Sequence, residues 1–274
     1  MSPTEPLTAA RLSVARTFLF APGNRPERFA KAAAAGADVV VIDLEDAVTA
    51  ADKPAARTHI ADWLAAGNSA LIRINAAETS WHAADVALAA EYSAPVLLAK
   101  AQTPEEVAAV GTATGAPVIP LVETARGILA APVIAALAPV VRIGFGAIDF
   151  GVDTGVDPDD REALLFARSM LVSASAAAGI AAPIDGVTTA LRDTAKLTDD
   201  VRYAARIGLA AKLCIHPAQV AVVHDCLAPT DDEITWARSI VAAASTDSSV
   251  VAVNGQMVDA PVVARARRIL AATD

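Results

Sequence analysis

The chain has 274 residues, 54% hydrophobic but only 4% aromatic, and its 31 Asp and Glu against 22 Lys and Arg give a net charge of −9. An acidic balance with no basic stripe excludes a nucleic-acid binder. The longest apolar stretch, Ile128 to Val141, is broken by Pro132 and Pro139 and is too short to span a bilayer, so no membrane partner is expected.

The N-terminal stretch has no basic region followed by an apolar core and no cleavage site, which points to a cytoplasmic protein. Cys214 and Cys226 both lie in apolar segments and are expected to be structural thiols. Residues 1–15 lack a clear period and read as a loose lead-in. From Arg16 onward, short apolar runs alternate with alanine-rich segments of helical period, the pattern of a parallel sheet with crossover helices. Strands are predicted at Thr17 to Phe20, Val39 to Ile42, Ala70 to Ile74, Val96 to Ala99, Val118 to Val122, Val140 to Phe145, Ala182 to Ile184 and Lys212 to Ile215. Helices are predicted at Pro26 to Ala35, Lys53 to Ala65, Pro104 to Thr114, Pro158 to Ala178 and Ala195 to Ile207, two of them stopped by Gly36 and Gly179. Eight strand-helix repeats, with no GxGxxG after the first strand, predict a (β/α)8 TIM barrel over 16–228.

Residues 229–274 are expected to form a C-terminal helical extension. It contains a helix from Asp231 to Ala244, a break at the polar patch STDSS, a short strand in VVAV, a turn at Asn254-Gly255 and a final helix. Such an appendage must pack somewhere, over its own barrel or a neighbour's.

The chemistry concentrates between Pro117 and Asp149. The run PVIPLV ends in Glu123, and the run PVVRIGFG is followed closely by Asp149. Two carboxylates leaving neighbouring strands at one rim can bind a hard divalent cation and leave positions open for water and substrate; otherwise Glu123 caps a helix and Asp149 is a solvated loop residue. Arg73, flanked by Ile72 and Ile74, is a guanidinium in an apolar strand and needs an anionic partner, either a substrate or Asp43 or Glu45. Asp43, Glu45 and Asp46 repel one another unless a cation or its water shell compensates, so Asp43 and Glu45 are expected to hold metal waters and Arg73, with Asp46 capping the next helix. Arg25, Arg28 and Lys31 surround a helix start that suits a phosphate, Arg25 best. His216 either lines the mouth or is structural, and His59, His82 and His224 show no constellation for zinc.

The segments TFLFAPGNRPERFAKAAAAGADVVVIDLEDAV, LIRIN, VETARG, GFGAIDFGVDTG, KLCIHPAQV and NGQMVDAPVVARA, taken in order, resemble the HpcH/HpaI aldolase and citrate lyase β-subunit family, on its CitE-like side, from about Arg16 to Leu270. The resemblance implies a barrel enzyme that assembles as a homotrimer or hexamer, uses Mg²⁺, or Mn²⁺ in its place, and makes or breaks a carbon-carbon bond beside a thioester. Its partners would be a coenzyme A thioester and a 2-oxo acid. On this reading Glu123 and Asp149 bind the metal, Arg73 stabilises the thioester enolate, and Gly146 and Ala147 with Arg25 contact substrate. Asp259 would act as general acid/base in a neighbouring subunit's barrel, unless it only caps the helix opening at Pro261. Lys100 follows Ala99 where many relatives have proline, which leaves its contact with substrate open. The alternatives are a citrate lyase β subunit acting on a carrier-protein thioester, and a non-catalytic protein that binds coenzyme A esters.

Overall fold

Side chains that alternate along eight short strands account for the architecture. The computed structural model describes residues 5–246, 251–253 and 256–271. The strands are β1 (Thr17–Pro22), β2 (Val39–Asp43), β3 (Leu71–Ile74), β4 (Val96–Leu98), β5 (Val118–Val122), β6 (Gly144–Phe145), β7 (Ile184–Asp185) and β8 (Ala211–Cys214). Each pairs parallel to the next and β8 returns to β1, closing the expected (β/α)8 barrel. The helices of this unit are α1 (Ala9–Val14), α2 (Phe29–Ala34), α3 (Lys53–Ala65), α4 (His82–Glu91), α5 (Pro104–Thr114), α6 (Ala125–Ala135), α7 (Ala147–Thr154), α8 (Arg161–Ala178), α9 (Thr194–Arg206) and α10 (Ala218–Leu227).

Phe18, Val39, Val41, Leu71, Ile119 and Leu121 belong to one buried cluster. Because successive residues of a strand face opposite sides, the same inward lines continue to Asp43 on β2, Arg73 on β3 and, one residue past β5, Glu123. The barrel is therefore apolar through its depth and charged in its uppermost layer. Asp43 and Arg73 are register partners across β2 and β3, so their opposite charges meet without any loop to bring them together.

The loose lead-in expected for residues 1–15 is corrected from Leu7 onward, residues 1–4 lying outside the described residues. Thr8 caps α1 by accepting from the Arg11 amide, and Leu7, Leu12 and Ala15 join the barrel's own buried cluster. Arg142 fastens this segment: its Nε donates to the Ala182 carbonyl and its Nη1 to the carbonyls of Ala15 (2.5 Å) and Leu12 (3.3 Å). Burial pulls the Arg142 pKa down to about 10, opposed by Asp38. The sixth strand is also shorter than expected. Val140 makes only an isolated bridge to Val118, and ordered pairing resumes at Gly144, after Arg142 has turned its side chain to these carbonyls. Helix α8 starts at Arg161, later than the predicted Pro158, because Asp160 supplies its cap.

The chain divides into two compact units, Met1–Cys226 and Leu227–Asp274. In the second, α11 (Asp231–Thr246) and α12 (Ala260–Ala271) accompany an antiparallel pair, β9 (Val251–Val253) and β10 (Gln256–Val258). Ala237, Ile240, Val258 and Ala266 form its core. The turn expected at Asn254-Gly255 and most of the patch at 245–249 lie outside the described residues. No helix among the described residues is long and apolar enough to cross a membrane.

Candidate active site

At the end of β2 the Asp43 carboxylate accepts hydrogen bonds from the amides of Glu45 (2.8 Å) and Ala47 (3.2 Å). Arg73 grips the same carboxylate at two points, Nε to Oδ1 at 2.7 Å and Nη2 to Oδ2 at 2.6 Å. Its Nη1 lies 2.9 Å from Glu45 Oε2, and its guanidinium stacks 4.8 Å from the Phe20 ring. Burial opposes the Arg73 charge, but Asp43 and Glu45 more than offset it, so the group stays cationic. Two of its five N–H donors are hydrogen-bonded to Asp43 and Nη1 is paired with Glu45, which leaves one Nη2 hydrogen able to reach a ligand.

One sequence expectation is met here and one changes. Asp43 and Glu45 hold Arg73 as expected, and Lys100 Nζ adds a second cation, bonding Glu45 Oε1 at 2.7 Å. Asp46 does not cap the next helix: Asp43 takes the turn's amides because β2 ends there, α3 does not begin until Lys53, and Asp46 is exposed on a cavity wall.

Lys100 is the site residue that sequence reasoning left undecided. It has φ +49°, a left-handed conformation costing an L side chain on the order of 1 kcal/mol. That turn aims its amide at Glu123 Oε1 (2.8 Å) while its Nζ reaches Glu45 and stands 3.5 Å from Asp149. Nothing local in the sequence announces the conformation.

Glu123 is 2% exposed. Burial, then the charges of Glu45 and Asp149, push its carboxyl up to about 8. Glu45 is also pushed up by burial, against the pull of Arg73 and Lys100. Glu45 and Asp149 thus both crowd the Glu123 carboxyl, and Lys100 reaches toward all three, through its amide to Glu123 and its Nζ to Glu45 and Asp149. Gly146 explains how Glu123 fits. A Cβ at residue 146 would lie 2.5 Å from the Glu123 Cβ and inside its carboxylate. Gly146→Ala should therefore displace Glu123, lowering Mn²⁺ affinity in calorimetry and turnover by about 10²-fold, the scale of a 1 Å misplacement.

A divalent cation suits this set. Among the described residues no three His, Cys, Asp or Glu form a metal cluster, so a cation held by Glu123 and Asp149 would fill its sphere with water and substrate, as Mg²⁺ does. Glu45 Oε2 is buried without a hydrogen-bond donor, its contact with Arg73 being off hydrogen-bond geometry. A cation-bound water would supply that donor.

Asp43, Arg73 and Asp149 face a cavity of about 870 Å³, whose other walls include Arg25, Arg28 and Lys31. Arg25 is half exposed and held by Glu27 at 2.7 Å. Gly146 and Ala147 open α7, where first-turn amides have no intrahelical acceptor. His216 also lines the cavity, its Nδ1 accepting from the Ala218 amide. Asp259 lies in the second unit, exposed, with Oδ1 accepting from the Val262 amide at the start of α12, the capping geometry.

Residues 16–217 match the pattern of the HpcH/HpaI aldolase/citrate lyase family. The chain belongs to that family. Within the HpcH/HpaI aldolase/citrate lyase family it is 40% identical over 260 residues to a citrate lyase subunit beta-like protein of Mycobacterium tuberculosis, covering 92% of this chain and 93% of that one. It is 35% identical over 279 residues to citrate lyase subunit beta of Leuconostoc mesenteroides subsp. cremoris (93% and 92% covered). Its fold is similar to the crystal structure of CitE from Mycobacterium tuberculosis in complex with magnesium, acetoacetate and coenzyme A, with TM-score 0.84 and 37% identity over 96% of this chain and 98% of that one.

Proposed function

We propose that this protein is a Mg²⁺-dependent carbon-carbon lyase that cleaves, or in reverse forms, a 3-hydroxyacyl thioester of coenzyme A. The observation behind this reading is that Arg73 and Asp149 line one cavity and that Glu123, buried close to Asp149, makes with it a carboxylate pair suited to a hard cation. Glu123 and Asp149 would hold the Mg²⁺, which would supply Lewis-acid polarisation of the oxo-acid half of the substrate. A base removes the hydroxyl proton, the bond to the thioester α-carbon breaks, and the electron pair passes to the thioester as an enolate. Arg73 stabilises that enolate by charge and by the Nη2 hydrogen that Asp43 leaves free, and protonation at carbon releases the acyl thioester. Asp43 and Glu45 fix the guanidinium in place. Arg25, Arg28 and Lys31 offer positive charge on the cavity wall for the phosphates of coenzyme A.

We assign the base to Asp259, reaching a neighbouring copy's site in a homotrimer or hexamer. Asn caps a helix as well as Asp does, so Asp259→Asn separates the two roles. Turnover should fall by about 10²- to 10⁴-fold with the thermal midpoint unchanged; full activity would confine Asp259 to capping.

The deciding assay incubates the protein with malyl-CoA, citramalyl-CoA, citryl-CoA and 3-hydroxy-3-methylglutaryl-CoA, with Mg²⁺ or EDTA, and follows free oxo product. Magnesium-dependent release from one of them is expected. The likeness to a citrate lyase β subunit favours a second reading, in which the thioester sits on a carrier protein. In that case all four remain intact and only the carrier-bound substrate is cleaved.

A further inference from the structure

Lys53 is the first residue of α3, where the helix dipole disfavours a cation, and it is 4% exposed. Burying an ammonium is costly unless its donors are filled, and here all three are. Nζ donates to the carbonyl of Leu44 at 2.7 Å, the carbonyl of Glu45 at 3.0 Å and Oδ1 of Asn75 at 2.8 Å, with the Trp81 ring 4.7 Å away. Asn75 is itself fixed. Its Nδ2 donates to Asp85 Oδ2 (2.6 Å) and to the same Leu44 carbonyl (2.9 Å), and Asp85 is clamped by Arg57 at 2.8 Å.

The two carbonyls matter because they belong to the peptide planes on either side of Glu45. Holding both planes fixes the backbone torsions of that residue, and hence where its carboxylate lands. That carboxylate spaces Lys100 from Arg73, touching each from a different oxygen. Lys53 contacts none of the groups that face the cavity, and it is not among the cavity's walls.

We propose that Lys53 is a positioning residue for the lyase reaction, acting through Glu45: it locks the peptide planes that aim the Glu45 carboxylate between Arg73 and Lys100. This rests on the functional reading above. Its placement at the start of a helix, against the dipole, follows from this duty and not from helix stability.

The test is a double-mutant cycle on kcat and KM with whichever thioester the wild-type protein cleaves in Mg²⁺, using Lys53→Met, Glu45→Gln and the pair. Lys53→Met should lower kcat by about 10²-fold with KM for the thioester within about threefold, because the error introduced is one of orientation at the reacting centre. In the Glu45→Gln background the same substitution should cost less than about threefold, since the residue it acts through is already altered. Thermal melting of all four proteins runs alongside. A merely structural lysine would lower the melting midpoint and cost the same factor in both backgrounds, which overturns the proposal, as would an unchanged kcat. If Lys53→Met does not fold, Asn75→Ser, which weakens the same clamp, takes its place. A loss of about tenfold is then expected in the wild-type background and none beside Glu45→Gln; equal losses overturn the proposal. A wild-type protein inactive on every thioester would instead defeat the lyase reading, before any substitution is compared.

Discussion

Replacing Glu123 by Gln should abolish divalent-cation binding and lower thioester cleavage by at least about 10³-fold, with the barrel still folded. The size of the effect follows from losing several kcal/mol of charge stabilisation supplied by the cation. The fold survives because Gln has the same shape and keeps an oxygen for the Lys100 amide, now 2.8 Å from Glu123 Oε1. Stability should not suffer, since a buried carboxyl that burial and its acidic neighbours already keep largely protonated is being replaced by a neutral amide of the same shape. Asp149→Asn should act in the same direction, although its side chain is 35% exposed and its loss leaves Glu123 in place. Mn²⁺ titration by electron paramagnetic resonance measures the binding directly. Undiminished Mn²⁺ affinity in Glu123→Gln would remove this residue from the metal site.

A pH dependence follows with a definite sign. The Glu123 carboxyl is pushed up to about 8, chiefly by burial, so near neutral pH it is largely protonated until a cation arrives. The cation binds only the ionised form, so its affinity should rise as pH increases toward 8, by up to about tenfold per unit, and level off above. Calorimetry in two buffers of different ionisation enthalpy should show close to one proton released per cation at pH 7. The folding consequence has the same origin. With a folded pKa raised above the unfolded value, Glu123 favours the folded chain at low pH and loses that contribution as pH rises toward 8. Bound Mg²⁺ reverses this, so its stabilising effect on the melting midpoint should be larger at pH 8.5 than at pH 6.5.

How much of this was legible in the chain depends on whether a feature repeats or is local and conformational. The barrel was legible because each strand has its own apolar run and each helix its own period. The rim residues Asp43, Arg73 and Glu123 were legible because strand alternation extends past the last apolar residue. The lead-in was missed because α1 is too short to show a period, and its burial depends on Arg142, far away in sequence. Lys100 could not be placed, because its role comes from a left-handed backbone that a lysine does not advertise. Lys53 did leave a trace: a cation at the first position of a helix contradicts the dipole preference, and the contradiction is resolved only when Leu44, Glu45 and Asn75 are seen around it.

Arg73→Lys should lower turnover by about 10²- to 10⁴-fold while leaving cation affinity close to that of the wild-type protein, the converse of Glu123→Gln. Lysine keeps the charge but not the fork. The parallel bonds from Nε and Nη2 to Asp43 need a planar donor set, and the ion pair to Glu45 needs a third nitrogen on the far side. A single ammonium can satisfy one of these carboxylates and leaves the other buried with less compensation, so the variant should also lose about 3 kcal/mol of stability, the scale for breaking a buried pair. The chemical part of the loss can be read separately from the structural part. In deuterated water with Mg²⁺ and an oxo acid, the wild-type protein should exchange the α-hydrogens of an acyl-CoA, because the enolate forms reversibly. In Arg73→Lys that exchange should fall by the same factor as cleavage, since both pass through the enolate that the guanidinium stabilises. If exchange stays at the wild-type rate while cleavage falls, Arg73 serves the oxo-acid half of the substrate, and enolate stabilisation must come from another donor, for which the first-turn amides of α7 and the Lys100 ammonium are candidates.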